Sequence, residues 1–201
     1  MGRRRAAAEG SAAAEQRAST LPTLRTARLV LRPCVPGDAS DVRRLAGDPG
    51  VSDTTLNIPH PYEEGMAEAW IATHEPEWLA RGHVTLAVTE PEVGLVGAIG
   101  LRVNAKHRRG ELGYWIGVPY WGRGYATEAA AALVGFGFDA LELNRIQARH
   151  MTRNPASGRV LEKIGMHFEG VQRGWMLAHG RFEDTAVWAI LREDRDREAA
   201  P

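Results

Sequence analysis

Tyr114-Trp115-Ile116-Gly117-Val118-Pro119-Tyr120-Trp121-Gly122-Arg123-Gly124-Tyr125-Ala126-Thr127-Glu128-Ala129 is the stretch on which the fold turns. An apolar strand ends, a glycine-rich turn follows, and a helix begins at once. Glycine lets the backbone turn and approach a ligand with no Cβ in the way. The first turn of a helix carries N–H groups without intrahelical partners and a partial positive charge. In succession these features make a site for a pyrophosphate. Two familiar phosphate patterns do not fit. The P-loop requires G-x-x-x-x-G-K-[ST], and no such Lys and Ser/Thr pair stands here. The dinucleotide fingerprint G-x-G-x-x-G requires a third glycine where Thr127 stands. A purely structural strand-to-helix turn is the remaining alternative.

Working outward, the periods alternate. Residues 85–88, 95–102 and 111–118 read as strands, the first two joined by a turn at Glu90-Pro91-Glu92. Residues 127–141 read as a long apolar helix, 144–151 as a strand, and 155–164 as a helix ended by Gly165. Residues 171–175 and 185–191 read as a closing antiparallel pair. Upstream, residues 28–32 form a short strand closed by Pro33. Asp38 or Ser40 caps a helix running to Ala46, a loop follows over 51–62, and residues 62–81 have helical spacing with a kink at Pro76. The order β-α-α-β-β-β-α-β-α-β-β predicts one mixed α/β domain, a mixed sheet with helices on its faces. Residues 1–22 are too poor in large apolar side chains to order themselves and read as a disordered arm. The domain spans 23–193, and 194–201 form a charged tail.

Composition narrows the function. Lys+Arg and Asp+Glu both count 25, so no net charge steers the chain toward nucleic acid or anionic lipid. Cys34 is the single cysteine, which excludes an intrachain disulfide; it reads as a small apolar side chain near the first strand rather than a catalytic thiol. No apolar run approaches the ~20 residues of a membrane helix, and the N-terminus lacks the apolar stretch of a secretory signal. A cytoplasmic protein is expected, with neither a membrane nor a nucleic-acid partner. The seven histidines, His60 and His150 among them, show no paired metal-ligand spacing, so no metal is expected.

The segment Trp121-Gly122-Arg123-Gly124-Tyr125-Ala126 resembles motif A of the GNAT superfamily of acetyltransferases, [QR]-x-x-G-x-[GA], with Trp121 in place of Gln or Arg. That replacement resembles one branch, the enzymes similar to the ribosomal-protein N-terminal (alanine/serine) acetyltransferases, whose loop reads W-G-[KR]-G-[YI]-A-T-E-A. Three other segments agree: the run from Asn154 through Ser157, Glu162, Lys163 and Gly165 to Met166, the Pro59-His60-Pro61-Tyr62 loop, and the start from Arg25 to Arg32. The resemblance covers about residues 24–192. It implies the GNAT fold, a twisted mixed sheet in which two neighbouring parallel strands splay apart to admit coenzyme A. It implies acetyl transfer from acetyl-CoA to a primary amine, a protein N-terminus first. A small-molecule or aminoglycoside-like amine and a non-catalytic acyl-CoA sensor are the alternatives. A monomer and a homodimer are equally compatible.

Roles follow from the same resemblance. The backbone of Arg123, Gly124, Tyr125, Ala126 and Thr127, after Gly122, would bind the pyrophosphate. The backbone of Ile116, Gly117 and Val118 would pair with the pantetheine arm as an added strand, and a nearby N–H would meet the thioester oxygen as it becomes an oxyanion. Glu111 would act as base through water, or else balances Arg108 and Arg109 at a solvated strand end. Ser157 would lie near the leaving thiolate as its proton donor, or else is a first-turn hydroxyl. Asn154 would bind pantetheine or cap its helix. No tyrosine occurs from 144 to 201, so a tyrosine acid from that helix is excluded.

Overall fold

The computed structural model describes residues 20–55 and 57–198. The arm expected over 1–22 lies outside the described residues up to position 19, and Leu21 already packs against the main core. The elements are β1 (Leu24–Arg25), β2 (Val30–Arg32), α1 (Ala39–Ala46), α2 (Pro49–Ser52), α3 (Met66–Ala72), α4 (His74–Arg81), β3 (Val84–Glu90), β4 (Gly94–Asn104), β5 (Arg109–Ile116), α5 (Tyr125–Asp139), β6 (Arg145–Met151), α6 (Pro155–Lys163), β7 (His167–Ala178), β8 (Arg181–Leu191) and α7 (Arg192–Glu198). The strands form one sheet in the order β1-β2-β3-β4-β5-β6-β8-β7. All neighbours are antiparallel except β5 and β6.

Strand alternation feeds two cores. Leu86, Val88, Val96, Ile99, Leu112 and Ile146 pack with Leu133 and Phe138 of α5 and Leu161 of α6. On the opposite face Ala87, Leu95 and Trp115 meet Val42 and Leu45 of α1 and Ala67 and Ile71 of α3. The helix-on-both-faces arrangement expected from the sequence is therefore present. The α5 helix can lie close on the sheet because Gly137 carries no side chain; a Cβ there would fall 2.8 Å from Ile146 Cδ1.

Several boundaries differ from the sequence reading for physical reasons. The segment expected as one helix kinked at Pro76 is two helices parted at Thr73, with Pro76 in the first turn of α4, where a missing N–H costs nothing. Asp38 stands at the N-terminus of α1 as expected, yet its carboxylate makes no cap. It accepts from both terminal nitrogens of Arg32, at 2.8 and 2.7 Å, and from the Val35 N–H. Burial pushes the Asp38 carboxyl up, but these donors hold it below its usual value. It ties β2 to α1. The charged tail begins as α7, docked by Arg192 on the Phe138 carbonyl and by Arg195 on Asp139 at 2.6 Å. The expected loop over 51–62 begins with the last residues of α2, whose start Asp48 caps through the Gly50 N–H. Cys34 packs at the rim of the second core, and burial pushes its thiol up to about 12, which leaves it protonated and unreactive.

His74 is buried at 5% exposure, edge-on to Trp70, and neither of its ring nitrogens has a hydrogen-bond partner among the described residues. Burial lowers it from 6.5 to about 4, outweighing the nearby Glu77. The unfolded chain takes up this proton near 6.5 and the folded chain only near 4, so acid favours unfolding across that window. Stability should fall by up to about 3 kcal/mol as pH drops from 6.5 to 4. Urea melts of wild type and His74→Leu across that range measure this; the variant should lose most of the slope, and an unchanged slope would assign it to other groups.

Candidate active site

The parallel pair β5–β6 is registered only from Arg109↔Arg145 to Leu112↔Ala148. Beyond that row β5 continues to Ile116 and β6 to Met151 without pairing, so the sheet opens between them. On its other side β5 stays paired to β4 through Gly97↔Ile116, and the Gly117 N–H reaches the Val96 carbonyl at 2.9 Å. In an antiparallel ladder, successive residues point their N–H groups to opposite sides. The N–H groups of Tyr114 and Ile116 therefore face the opening. The Ile116 carbonyl is taken by the Trp121 indole N–H at 2.6 Å. Gly117 faces β4, and Val118 belongs to a short 3-10 turn, Val118–Tyr120, so neither continues the free edge as the sequence suggested.

Past that turn the chain reverses through Gly122 and Gly124, at φ +75° and +80°, and α5 starts at Tyr125. Glycine is required at such angles because a Cβ would be strained. The first helical bond runs from the Glu128 N–H to the Gly124 carbonyl, and among the described residues none accepts from the N–H groups of 122–127. Those donors point from one helix end, the arrangement that holds phosphate oxygens. The loop is fixed from behind. Glu128 accepts from the Thr26 hydroxyl at 2.6 Å, from the Arg28 N–H at 2.8 Å and from the Arg28 guanidinium at 2.7 Å. Arg28 also donates to the Arg123 carbonyl at 2.9 Å and lies over the Tyr125 ring. Burial raises the Glu128 carboxyl, but these donors win and hold it lowered, so it stays charged.

Two further groups meet at the opening. Ser157, in the first turn of α6, has its Oγ 2.8 Å from the Tyr114 hydroxyl, which is also 3.3 Å from the Ser157 carbonyl. Burial pushes the Tyr114 phenol up to about 12, only partly offset by Ser157, so it keeps its proton. Asn154 caps α6, its Oδ1 accepting from the Ser157 N–H at 3.3 Å. Glu111 sits on the sheet face opposite Tyr114, paired with Gln147 one row before the last row of the parallel pair. It is bound to Arg149 at 2.6 Å and to Gln147 at 3.4 Å. Arg149 in turn lies over the Trp175 ring of β7 at 5.5 Å. On the same side Arg153 joins Asp53, beyond α2, to Glu183 on β8.

The strand end, the glycine loop, Asn154 and Ser157 thus converge on one opening. Glu111 borders it from the other face, and no hydrogen bond links it to Ser157. The sequence reading missed Tyr114 as a partner of Ser157, because it looked for a tyrosine on α6 and the residue comes from β5. It also missed Thr26, Arg28 and Glu128 as the loop's anchors, although Glu128 stood in the quoted motif. His150 bonds the Met151 carbonyl and the Trp188 indole, and His60 the Gly47 carbonyl, as structural residues would. Among the described residues no group of three or more His, Cys, Asp or Glu is placed to hold a metal ion. None of their helices is long and apolar enough to cross a membrane.

Comparison with known proteins agrees with this geometry. The family model described as acetyltransferase (GNAT) domain matches residues 28–167. The uncharacterised N-acetyltransferase YoaA of Bacillus subtilis (strain 168) is 34% identical over 175 residues, which cover 85% of this chain and 97% of YoaA. The ribosomal protein uS5-alanine N-acetyltransferase of Escherichia coli (strain K12) is 31% identical over 83 residues, 41% of this chain and 43% of its own. The solved structure of an acetyltransferase (GNAT family) from Bacillus anthracis superposes with a TM-score of 0.76 at 27% identity, over 86% of this chain and 99% of that one. A parted parallel strand pair, a glycine loop at the head of a long helix and a family match over most of the chain lead to one conclusion: this protein belongs to the GNAT family of acetyltransferases, and acetyl-CoA is its acetyl donor.

Proposed function

We propose that the enzyme acetylates the α-amine of a protein or peptide N-terminus, by direct attack of the amine on acetyl-CoA in a ternary complex. One observation carries the reading: a hydroxyl pair, Tyr114 and Ser157, stands at the opening between β5 and β6, next to a helix end whose amides meet no acceptor among the described residues. Partial likeness to a ribosomal-protein alanine acetyltransferase supports the choice of acceptor. So does the chemistry, because an α-amine has an ordinary pKa of about 7.7–8.0 and is partly neutral near pH 7.

In this reading the amides of 122–127 bind the pyrophosphate, and the Tyr114 and Ile116 N–H groups pair with the pantetheine arm or with the thioester oxygen. Preorganised donors aimed at a developing oxyanion are often the largest electrostatic contribution to acyl transfer. The amine nitrogen bonds to the thioester carbon, the oxyanion forms and collapses, and the C–S bond breaks. A phenol held near 12 does not surrender its proton to the thiolate of a thiol with a pKa of about 8.5. Tyr114 thus stays protonated; with its O–H turned onto Ser157 Oγ it would leave the serine O–H free to hydrogen-bond the thiolate, while the proton lost by the amine leaves through Glu111 and water.

Three outcomes test these roles. In Gly124→Val the substituted residue is strained at φ +80°, and its side chain crowds Arg28, 3.4 Å from the Cβ position. Acetyl-CoA affinity measured by calorimetry should fall at least about tenfold, the more because this loop meets phosphate; unchanged affinity in a folded protein would remove the loop from the site. Ser157→Ala and Tyr114→Phe should lower kcat by about 10–100-fold, the serine change more, with acetyl-CoA affinity within twofold. Wild-type turnover in Ser157→Ala would reduce that residue to a helix-start hydroxyl. Glu111→Gln should lower kcat most near pH 7 and recover as the amine deprotonates at higher pH. A rise confined to the KM of the amine would make Glu111 a positioning group.

A further inference from the structure

A cavity of about 300 Å³ lies beside Glu111, lined by Arg102, Asn104, Arg109, Glu111, Gln147 and Arg149. That is the lower end of the size range of small-ligand sites. The register explains why these side chains meet. Arg102 pairs with Glu111 and Glu111 with Gln147, while Asn104 pairs with Arg109, so both rows project from one sheet face. It is the face opposite α5, and Arg149, two residues beyond Gln147, extends it to the row where β5 and β6 part.

The charge is lopsided. Three guanidinium groups and one carboxylate line the cavity. The carboxylate is already matched by Arg149, and the Arg149 Nε is buried with no acceptor among the described residues. The Arg102 and Arg109 side chains are exposed, and their guanidinium groups make no hydrogen bond or ion pair with other described residues. The Asn104 Oδ1 is turned onto the His107 N–H, which leaves its amide NH2 as the group available to a ligand. Guanidinium forks and amide donors around a cavity recognise a carboxylate. Glu111, at the near end, is the only anion among the described lining residues, and it can meet a cationic amine.

We propose that this cavity is the acceptor's specificity subsite and that it takes an acidic side chain close behind the reactive N-terminus. The amine sits toward Glu111 and the carboxylate between Arg102 and Arg109. The inference rests on the reading that acetyl transfer takes place at the adjoining opening, and it goes further by naming the acceptor's chemistry.

Calorimetry on the CoA-saturated enzyme tests it without turnover, using the acetylated product peptides Ac-Ala-Asp-NH2 and Ac-Ala-Asn-NH2. The acidic peptide should bind about five- to tenfold more tightly, as expected of charge-assisted bonds to partly screened groups. The advantage should shrink at about 0.5 M salt. In Arg102→Gln/Arg109→Gln it should drop below about twofold, with CoA affinity in the same variant as the check of folding. Equal binding of the two peptides by the wild type overturns the proposal. N-Acetylaspartate and its diamide form the second arm: a larger discrimination there than between the peptides would put the charge on a free amino acid and overturn the assignment to a peptide side chain. Should no peptide be acetylated, the acceptor reading fails by itself, while the anion preference is still decided by these binding data.

Discussion

The parting of β5 and β6 after the Leu112↔Ala148 row is the constraint on which the rest of the structure depends. A buried strand edge left unpaired is costly, because each orphaned backbone group forfeits its hydrogen bond. Here the cost is contained. The β5 strand stays fully paired to β4, and β6 to β8 from Arg145↔Leu191 to Met151↔Thr185, so each lip of the opening is held by its outer neighbour. The Ile116 carbonyl is met by Trp121, and Tyr114 reaches across to Ser157. What remains open is a short row of donors with a fixed spacing, the form in which an extended amide-bearing chain can add as a strand.

The second requirement is that the loop after β5 keep its shape. Gly122 and Gly124 permit the turn, but permission alone does not hold it. Thr26, Arg28 and Glu128 do, binding the segment before β2 to the first turn of α5. The Glu128 carboxylate also lies near the positive end of α5, where an anion is favoured. It is engaged by protein donors from behind, and the amides of 122–127 are left to a ligand. A site of this kind is preorganised by contacts that touch no substrate, which is where long-range mutational effects on acetyl-CoA affinity should originate.

Much of this was legible in the chain because local chemistry announced it. Positive φ at Gly122 and Gly124 admits little besides glycine, so the strand–turn–helix reading was secure. The Asn154 cap three residues before Ser157 is likewise a local pattern. Other features depend on pairs far apart in sequence. Tyr114 and Ser157 are 43 positions apart, and Glu111 and Arg149 are 38 apart. No spacing rule links them; the register of β5 against β6 brings the second pair together, and the packing of α6 against the opening brings the first. Helix α7 was illegible for a different reason. Its sequence has no apolar stripe, and docking by Arg192 and Arg195 onto the end of α5 holds it instead. Asp38 looked like a cap because its type and position fit one, but the half-buried Arg32 guanidinium competed for the buried carboxylate and won.

The placement of the site between β5 and β6 requires that acetyl-CoA contact the backbone there. Hydrogen exchange at single-residue resolution, read by NMR with and without acetyl-CoA, measures this directly. Donors with no partner in the free enzyme should exchange quickly and become protected on binding. The predicted result is strong protection at Tyr114, Ile116 and 122–127, with β4 and β8 little changed. Saturating acetyl-CoA that protects a different surface and leaves those amides as they were would contradict the placement of the site between β5 and β6.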